Sequence, residues 1–274
     1  MGGRAGLAGH RRARGPRGEL IGSAIGAAIV GVMLGPVLGG AATLVGPELV
    51  FGLIALVGVG LAAWALGTPG VPPGETPGLR DALAALSRRP LAAGFWLLVL
   101  PSLFAGVINV LVPLRLDDLG ASGVAVGAAF LVAALVEALV TPLAGRLSDR
   151  RGRLVPIRFG LAGAVAMAIL LPLPGTAILS AAALVAAVAA LALFWASAMA
   201  LVSDASERFG LAQGLAFAVT NLAWGGGIVI GGAAGAALAE ATSDAVPYAV
   251  VAVLCAVTLG GVVYRRSRAP VRIG

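Results

Sequence analysis

Apolar residues run through this chain in long stretches that short polar or Pro/Gly-rich segments separate. In an α-helix, about 20 residues at 1.5 Å per residue cross the roughly 30 Å hydrocarbon core of a membrane. Because these stretches are apolar on all faces and rich in Gly and Ala, the pattern predicts an all-α polytopic bundle without strands. Eight transmembrane helices are predicted, at residues 19–42, 48–67, 91–113, 122–144, 154–173, 176–202, 210–239 and 246–264.

Composition supports a membrane protein and argues against a soluble one. Of the 274 residues, 59% are hydrophobic and only 11% are charged, and the mean hydropathy is +1.02. A net charge of +7 would suggest nucleic-acid binding in a soluble protein, but here the basic residues lie between apolar stretches, where membrane orientation explains them. The lone Cys255 and the lone His10 support neither a disulfide nor a metal site, and no cofactor is predicted.

The arginines predict the orientation of the chain. All 19 basic residues are arginine. With eight predicted helices, both termini lie on the same side of the membrane, and every arginine except Arg115 lies on that side. Positively charged segments stay in the cytoplasm, so the prediction is a multi-pass plasma-membrane protein with both termini cytoplasmic. The basic residues 1–18 resemble the start of a signal peptide, but the apolar stretch after them is long and lacks a clear cleavage site. We interpret that stretch as a membrane span.

Two of the predicted spans share a pattern of glycines. The first span aligns with the seventh at an offset of 192 residues, and this spacing of six spans predicts a six-helix repeat. We therefore expect residues 1–67 to be two spans of an N-terminal half, 68–90 to be a Pro/Gly-rich cytoplasmic linker, and 91–274 to be a complete C-terminal half with a basic tail. The glycines Gly18, Gly22, Gly35, Gly39 and Gly40 align with Gly210, Gly214, Gly227, Gly231 and Gly232.

Two motifs resemble those of a known family. The stretch GRLSDRRGR resembles the loop motif G-x-L-x-D-R-x-G-R of the major facilitator superfamily, and GVMLGPVLGG resembles the fifth-helix motif of its drug/proton antiporters. The resemblance covers essentially the whole chain and implies two pseudo-symmetric six-helix halves, with the first four helices missing here. The matched positions are Gly145, Leu147, Asp149, Arg150, Gly152 and Arg153 in the loop motif, and Gly31, Gly35, Pro36, Gly39 and Gly40 in the helix motif.

The loop motif suggests a conformational role. We expect Gly145 and Gly152 to form a short cytoplasmic turn, in which Asp149 pairs with Arg150 or Arg153. By resemblance, Asp149 also lies near the positive N-terminal end of a helix of the other half, close to residues 18–22, and latches the two halves together. The alternative is an ordinary charged turn without a switching function.

The helix motif predicts close packing. Gly31, Gly35 and Gly39 lie four residues apart on one face, and Pro36 removes an intrahelical hydrogen bond. The functional interpretation is a sealed contact between the two halves that limits leak. Glycine packing without that function is the alternative.

Glu137 is the preferred candidate for a proton or substrate site. It lies about two turns inside the cytoplasmic end of the fourth span, where an unpaired charge is expensive and therefore indicates function. It can exchange a proton or contact a cationic substrate; alternatively, it reaches the interface or pairs with an arginine of the adjoining loop. Asn109, Asn221 and Trp224 are further candidates for a central cavity, with helix packing as the alternative for each.

The predicted function is secondary active transport. The resemblance implies proton-coupled export of a small hydrophobic or amphipathic compound by alternating access, with the lipid bilayer and a small-molecule substrate as partners and no protein partner. Uptake by a symporter or facilitator is one alternative, and a truncated protein that does not transport is another. An enzyme is not predicted, because the chain has no nucleotide-binding loop, no His/Cys ligand set and no persuasive nucleophile and base.

Overall fold

The computed structural model describes residue 31 and residues 34–69, 89–209 and 213–267, without the side chains of 213–216 and 265–267. Within these residues the structure is helical, with turns between the helices and no strand, which confirms the all-α prediction. The eight helices are α1 (Leu34–Val45), α2 (Pro47–Leu66), α3 (Arg89–Asp118), α4 (Gly123–Arg151), α5 (Leu154–Leu170), α6 (Ala177–Arg208), α7 (Gln213–Ala241) and α8 (Ala245–Ser267).

Each predicted span has a corresponding helix, but several helices continue beyond the apolar residues. Six of the described helices are long and apolar enough to cross a membrane, whereas α5 and the described part of α1 are shorter apolar helices. Helix α3 continues past the predicted end of the third span at Pro113 to Asp118, and α4 continues past that of the fourth span at Ala144 to Arg151. Polar residues leave the hydrocarbon region without breaking a helix, so hydropathy predicts the span and not the helix end.

Local sequence explains where several helices begin. Gly46, with a φ of 95°, ends α1, and Pro47 then occupies the first position of α2, where its missing N–H costs no hydrogen bond. Ser122 caps α4 by accepting a hydrogen bond from the backbone N–H of Ala125 at 3.3 Å. Thr176 caps α6 in the same way. Each cap satisfies one backbone N–H in the first turn of its helix.

Helices α3 to α8 share one buried core. Leu98 and Phe104 of α3, Leu161 of α5, Phe194 of α6 and Cys255 of α8 all belong to it. The thiol of Cys255 is free and buried, as expected for a cysteine in an apolar span. Helix α3 contacts α4, α6, α7 and α8, and helix α6 contacts α3, α4, α5 and α7, so these two helices are central to the described bundle.

Glycines bring α3 and α7 into direct backbone contact. A Cβ added to Gly227 would lie 2.5 Å from the Cβ of Ser102, and one added to Gly231 would overlap the backbone of Leu103. On α3, a Cβ at Gly106 would overlap the backbone of α7 at Ile228. These two helices therefore pack through small residues, as membrane helices without a hydrophobic driving force between them commonly do.

The packing of α1 and α2 is much sparser. Val50 is buried, but the apolar side chains of α2 are otherwise exposed among the described residues. Helix α1 packs against the start of α4: a Cβ on Gly127 would lie 2.7 Å from the carbonyl oxygen of Pro36 and 3.2 Å from the Cα of Gly40. The first two helices thus meet the others mainly through α1.

Candidate functional site

A cavity of about 190 Å³ lies between five helices, α1, α3, α4, α6 and α7. Its walls are mostly apolar and carry a small number of polar groups, which is typical of sites that bind small molecules. Because helices from widely separated parts of the sequence form it, the cavity is a product of the tertiary packing. The lining residues are Pro36, Pro101, Ala105, Ile108, Asn109, Phe130, Ala133, Ala134, Glu137, Val188, Leu191, Trp195 and Trp224.

Glu137 provides the carboxyl group of this cavity. It lies at the midpoint of α4, about 21 Å from either helix end. The backbone carbonyl of Glu137 accepts a hydrogen bond from the Thr141 hydroxyl at 2.8 Å, whereas its carboxylate has no partner among the described residues. The alternative that Glu137 pairs with a nearby arginine is therefore not found in the described part of the chain, where both ion pairs belong to Arg153.

Two tryptophans from neighbouring helices line the cavity together. The ring centroids of Trp195 and Trp224 are 4.6 Å apart, with their planes tilted by 58°. Such an aromatic pair offers a large apolar surface and an electron-rich face that attracts cations. Only the structure places these two side chains next to each other.

The two asparagine candidates occupy different environments. Asn109 is exposed to the cavity from α3, close in sequence to the lining residues Ala105 and Ile108. Asn221 is not among the lining residues, since its side-chain amide donates to the backbone carbonyl of Phe217 at 3.0 Å on an exposed part of α7. Of the candidate residues, Asn109, Glu137 and Trp224 thus line this cavity and Asn221 does not.

The helix motif contacts α4 through a different face from the one the glycine spacing suggested. Nothing among the described residues lies within 4 Å of a Cβ placed on Gly31, Gly35 or Gly39. The contact is made instead by Pro36, Gly40 and Thr43. A Cβ added to Gly40 would lie 3.8 Å from the Cα of Val124. This α1–α4 contact places Pro36 on the cavity wall.

The charged loop motif is mostly helical. Helix α4 continues through Gly145 to Arg151, so the expectation that Gly145 forms part of the turn is wrong. Gly152 does form it, with a φ of 87° and a ψ of 153°, a conformation that only glycine adopts readily. Helices tolerate a glycine on an open surface, and no described atom lies near Gly145. Leu147 and the exposed Arg150 lie on the last turns of the helix.

Arg153 joins three segments at this end of the bundle. Its Nη1 donates to Asp149 at 2.6 Å and to Ser148 at 3.3 Å, and its Nε donates to Asp204 of α6 at 3.0 Å. Hydrogen bonding to Asp204 and then to Asp149 raises the pKa of the Arg153 guanidinium against the opposing effect of its burial. Of the two partners expected for Asp149, the structure selects Arg153. The predicted latch partner at residues 18–22 lies outside the described residues.

Comparison with known proteins identifies the family. A model of the Major Facilitator Superfamily matches residues 7–214 and, in a second match, residues 98–273. The chain belongs to the major facilitator superfamily. No curated protein matches the chain at a significant level. Members of this superfamily are transporters and not enzymes, so this member is a multi-pass membrane transporter that acts on a small molecule.

Proposed function

We propose that this member of the major facilitator superfamily exports a small hydrophobic or amphipathic compound in exchange for protons. The observation that carries the proposal is Glu137, whose carboxyl group has no partner among the described residues and lies at mid-helix in a mostly apolar cavity. An ionised carboxylate in such a place is expensive unless a proton, a cation or water compensates it. A group that must be compensated can exchange one cationic partner for another.

The exchange requires only one carboxylate. A proton taken up from outside neutralises Glu137, and the arrival of a cationic substrate from the cytoplasm releases that proton to the cytoplasm. The substrate then occupies the same carboxylate until a new proton from outside displaces it. Because one site holds either the proton or the substrate, their movements in opposite directions are coupled.

The other cavity walls favour a lipophilic cation as the substrate. Trp195 and Trp224 present aromatic faces that attract both apolar groups and positive charge. Asn109 adds a single amide that can hydrogen bond to a polar substituent. A cavity of about 190 Å³ accommodates part of such a compound in the described conformation, with more space expected when the cavity opens.

Alternating access would supply the movement. We place α1 and α2 in one half and α3 to α8, which share a core, in the other, with the α1–α4 glycine contact between the halves. The Asp149–Arg153–Asp204 cluster holds the ends of α4, α5 and α6 together, which supports a role for the loop motif in setting the balance between conformations. Both termini are proposed to be cytoplasmic in the plasma membrane.

The test is proton-coupled transport in everted membrane vesicles that contain the full chain. Addition of a lipophilic cation should collapse an imposed pH gradient, and Glu137→Gln should abolish this response at equal expression. Glu240→Gln is the matched control, because Glu240 is exposed on α7 and does not line the cavity.

Two results would contradict the proposal. Undiminished proton movement in Glu137→Gln would remove this carboxylate from the coupling. Substrate entry without any change in pH would favour a facilitator, the alternative that the sequence left open.

A further inference from the structure

A second cavity, of about 200 Å³, lies at the end of the bundle opposite Arg153. The end of α3, the beginnings of α6 and α8, and the connections before these two helices form its walls. Five of its lining residues carry polar side chains: Arg115, Ser180, Ser243, Asp244 and Tyr248. None of them lines the central cavity, so this site is separate from the proposed transport site.

Two hydrogen-bond donors of the residues that line this cavity have no partner in the described part of the chain. The hydroxyl of Ser180 is buried, with 1% of the residue exposed, and it forms no hydrogen bond. Arg115 donates from Nη2 to the carbonyl oxygen of Pro174 at 3.1 Å, but its Nε–H is buried and unpartnered. Because buried donors without an acceptor are costly, two such donors in residues that line one cavity favour the binding of an acceptor there.

The charge of the cavity limits what this acceptor can be. Arg115 forms no ion pair within the described part of the chain, so no carboxylate neutralises its positive charge by direct contact. The carboxylate of Asp244, an exposed residue, also lines the cavity and opposes a second negative charge. A monovalent anion is therefore favoured over a divalent one.

We propose that this cavity binds a small monovalent anion, a halide or a short carboxylate. The Arg115 Nε–H and the Ser180 hydroxyl donate to the anion, and the Tyr248 hydroxyl is a third donor on the same wall. The bound anion links α3, α6 and α8, so it stabilises their packing at this end of the bundle. The position of Arg115, alone among the arginines on the side predicted to be extracellular, is explained by this binding and not by membrane orientation.

The experiment measures thermal unfolding of the purified full chain in detergent. Sodium chloride, sodium acetate and sodium sulfate are titrated against sodium gluconate, a bulky reference anion, at constant ionic strength. Chloride and acetate should raise the midpoint in a saturable manner, and sulfate should not exceed gluconate. Tighter binding of chloride assigns a halide to the site, and tighter binding of acetate assigns a carboxylate.

Variants of the wall residues should shift the half-saturating concentration in opposite directions. Arg115→Gln should lose the saturable increase, and Ser180→Ala should raise the half-saturating concentration about fivefold through the loss of one hydrogen bond. Asp244→Asn should lower it about threefold, because a like charge is removed. Arg89→Gln, an exposed arginine at the other end of α3, is the matched control and should behave as the wild type.

The opposite shifts expected for Ser180→Ala and Asp244→Asn test the proposal even if Arg115→Gln does not fold. An increase that is the same for all four salts, or that Ser180→Ala and Asp244→Asn leave unchanged, would show that the cavity holds water only. This outcome would overturn the anion site without bearing on proton-coupled export, since the inference does not depend on the central cavity.

Discussion

The backbone contact between α3 and α7 predicts that Gly231→Ala destabilises the protein. A Cβ added to Gly231 would lie 2.8 Å from both the Cα and the carbonyl carbon of Leu103, and closer still to its carbonyl oxygen. Carbon atoms are normally in contact at about 3.5–4.0 Å, so the two helices would have to separate by roughly 1 Å. The atoms that must move belong to the backbone and cannot rotate out of the way.

The size of the effect follows from the packing and from a matched control on the same helix. Overpacking of this kind costs about 1–3 kcal/mol, and the rigid backbone of Leu103 favours the upper end of that range. In Gly226→Ala the new Cβ has no neighbour within 4 Å, and the better helix propensity of alanine should stabilise by up to about 1 kcal/mol. The two variants should therefore differ by about 2–4 kcal/mol.

The assay is thermal unfolding of both variants in the same detergent, with expression level as a second measurement. A difference of about 3 kcal/mol corresponds to roughly 6–12 °C in the unfolding midpoint of a protein of this size. Equal midpoints for Gly231→Ala and Gly226→Ala would refute the reasoning, because they would show that α3 and α7 do not touch through their backbones.

Two further predictions concern the charged turn. Gly152→Ala should destabilise the protein by about 1–3 kcal/mol, because alanine is strained at a φ of 87°. Gly145→Ala, on the open surface of the helix, should not destabilise it. Circular dichroism melts of the two variants check this prediction, and equal melting temperatures would contradict it. Arg153→Gln should lower the free energy of unfolding by about 1 kcal/mol through the loss of its partly exposed ion pairs. Arg150→Gln, whose side chain is exposed, should lower it less. Equal melting temperatures of these two variants would mean that solvent screens the cluster fully.

The helices of this protein could be predicted from the sequence with little else. A segment in lipid must satisfy its own backbone hydrogen bonds, so a long apolar stretch is nearly obliged to be a helix. Gly46 and Pro47 marked the break between α1 and α2 for reasons that lie in those two residues alone. Helix ends were less predictable, because Arg150 and Arg151 leave the membrane and still continue α4.

Packing faces could not be read from the same patterns. Gly35 and Gly39 repeat the spacing of Gly227 and Gly231, yet only the second pair has a described helix against it. In α1 the contact lies instead on the face that contains Gly40. Which face of a helix is covered depends on the rotation and the distance of its neighbours, and a glycine pattern contains no information about either.

For the candidate site too, the sequence determined one part and the tertiary structure determined the rest. The sequence by itself determined that Glu137 is a rare ionisable residue inside a span, because hydropathy is a property of each segment considered alone. Only the tertiary structure decided that Asn109, Trp195 and Trp224 share its cavity, that Asn221 does not, and that Arg115 and Ser180 line a separate one. Those relations depend on side chains from distant helices meeting in space, and the crossing angles and rotations that bring them together are set by the packing of the whole bundle.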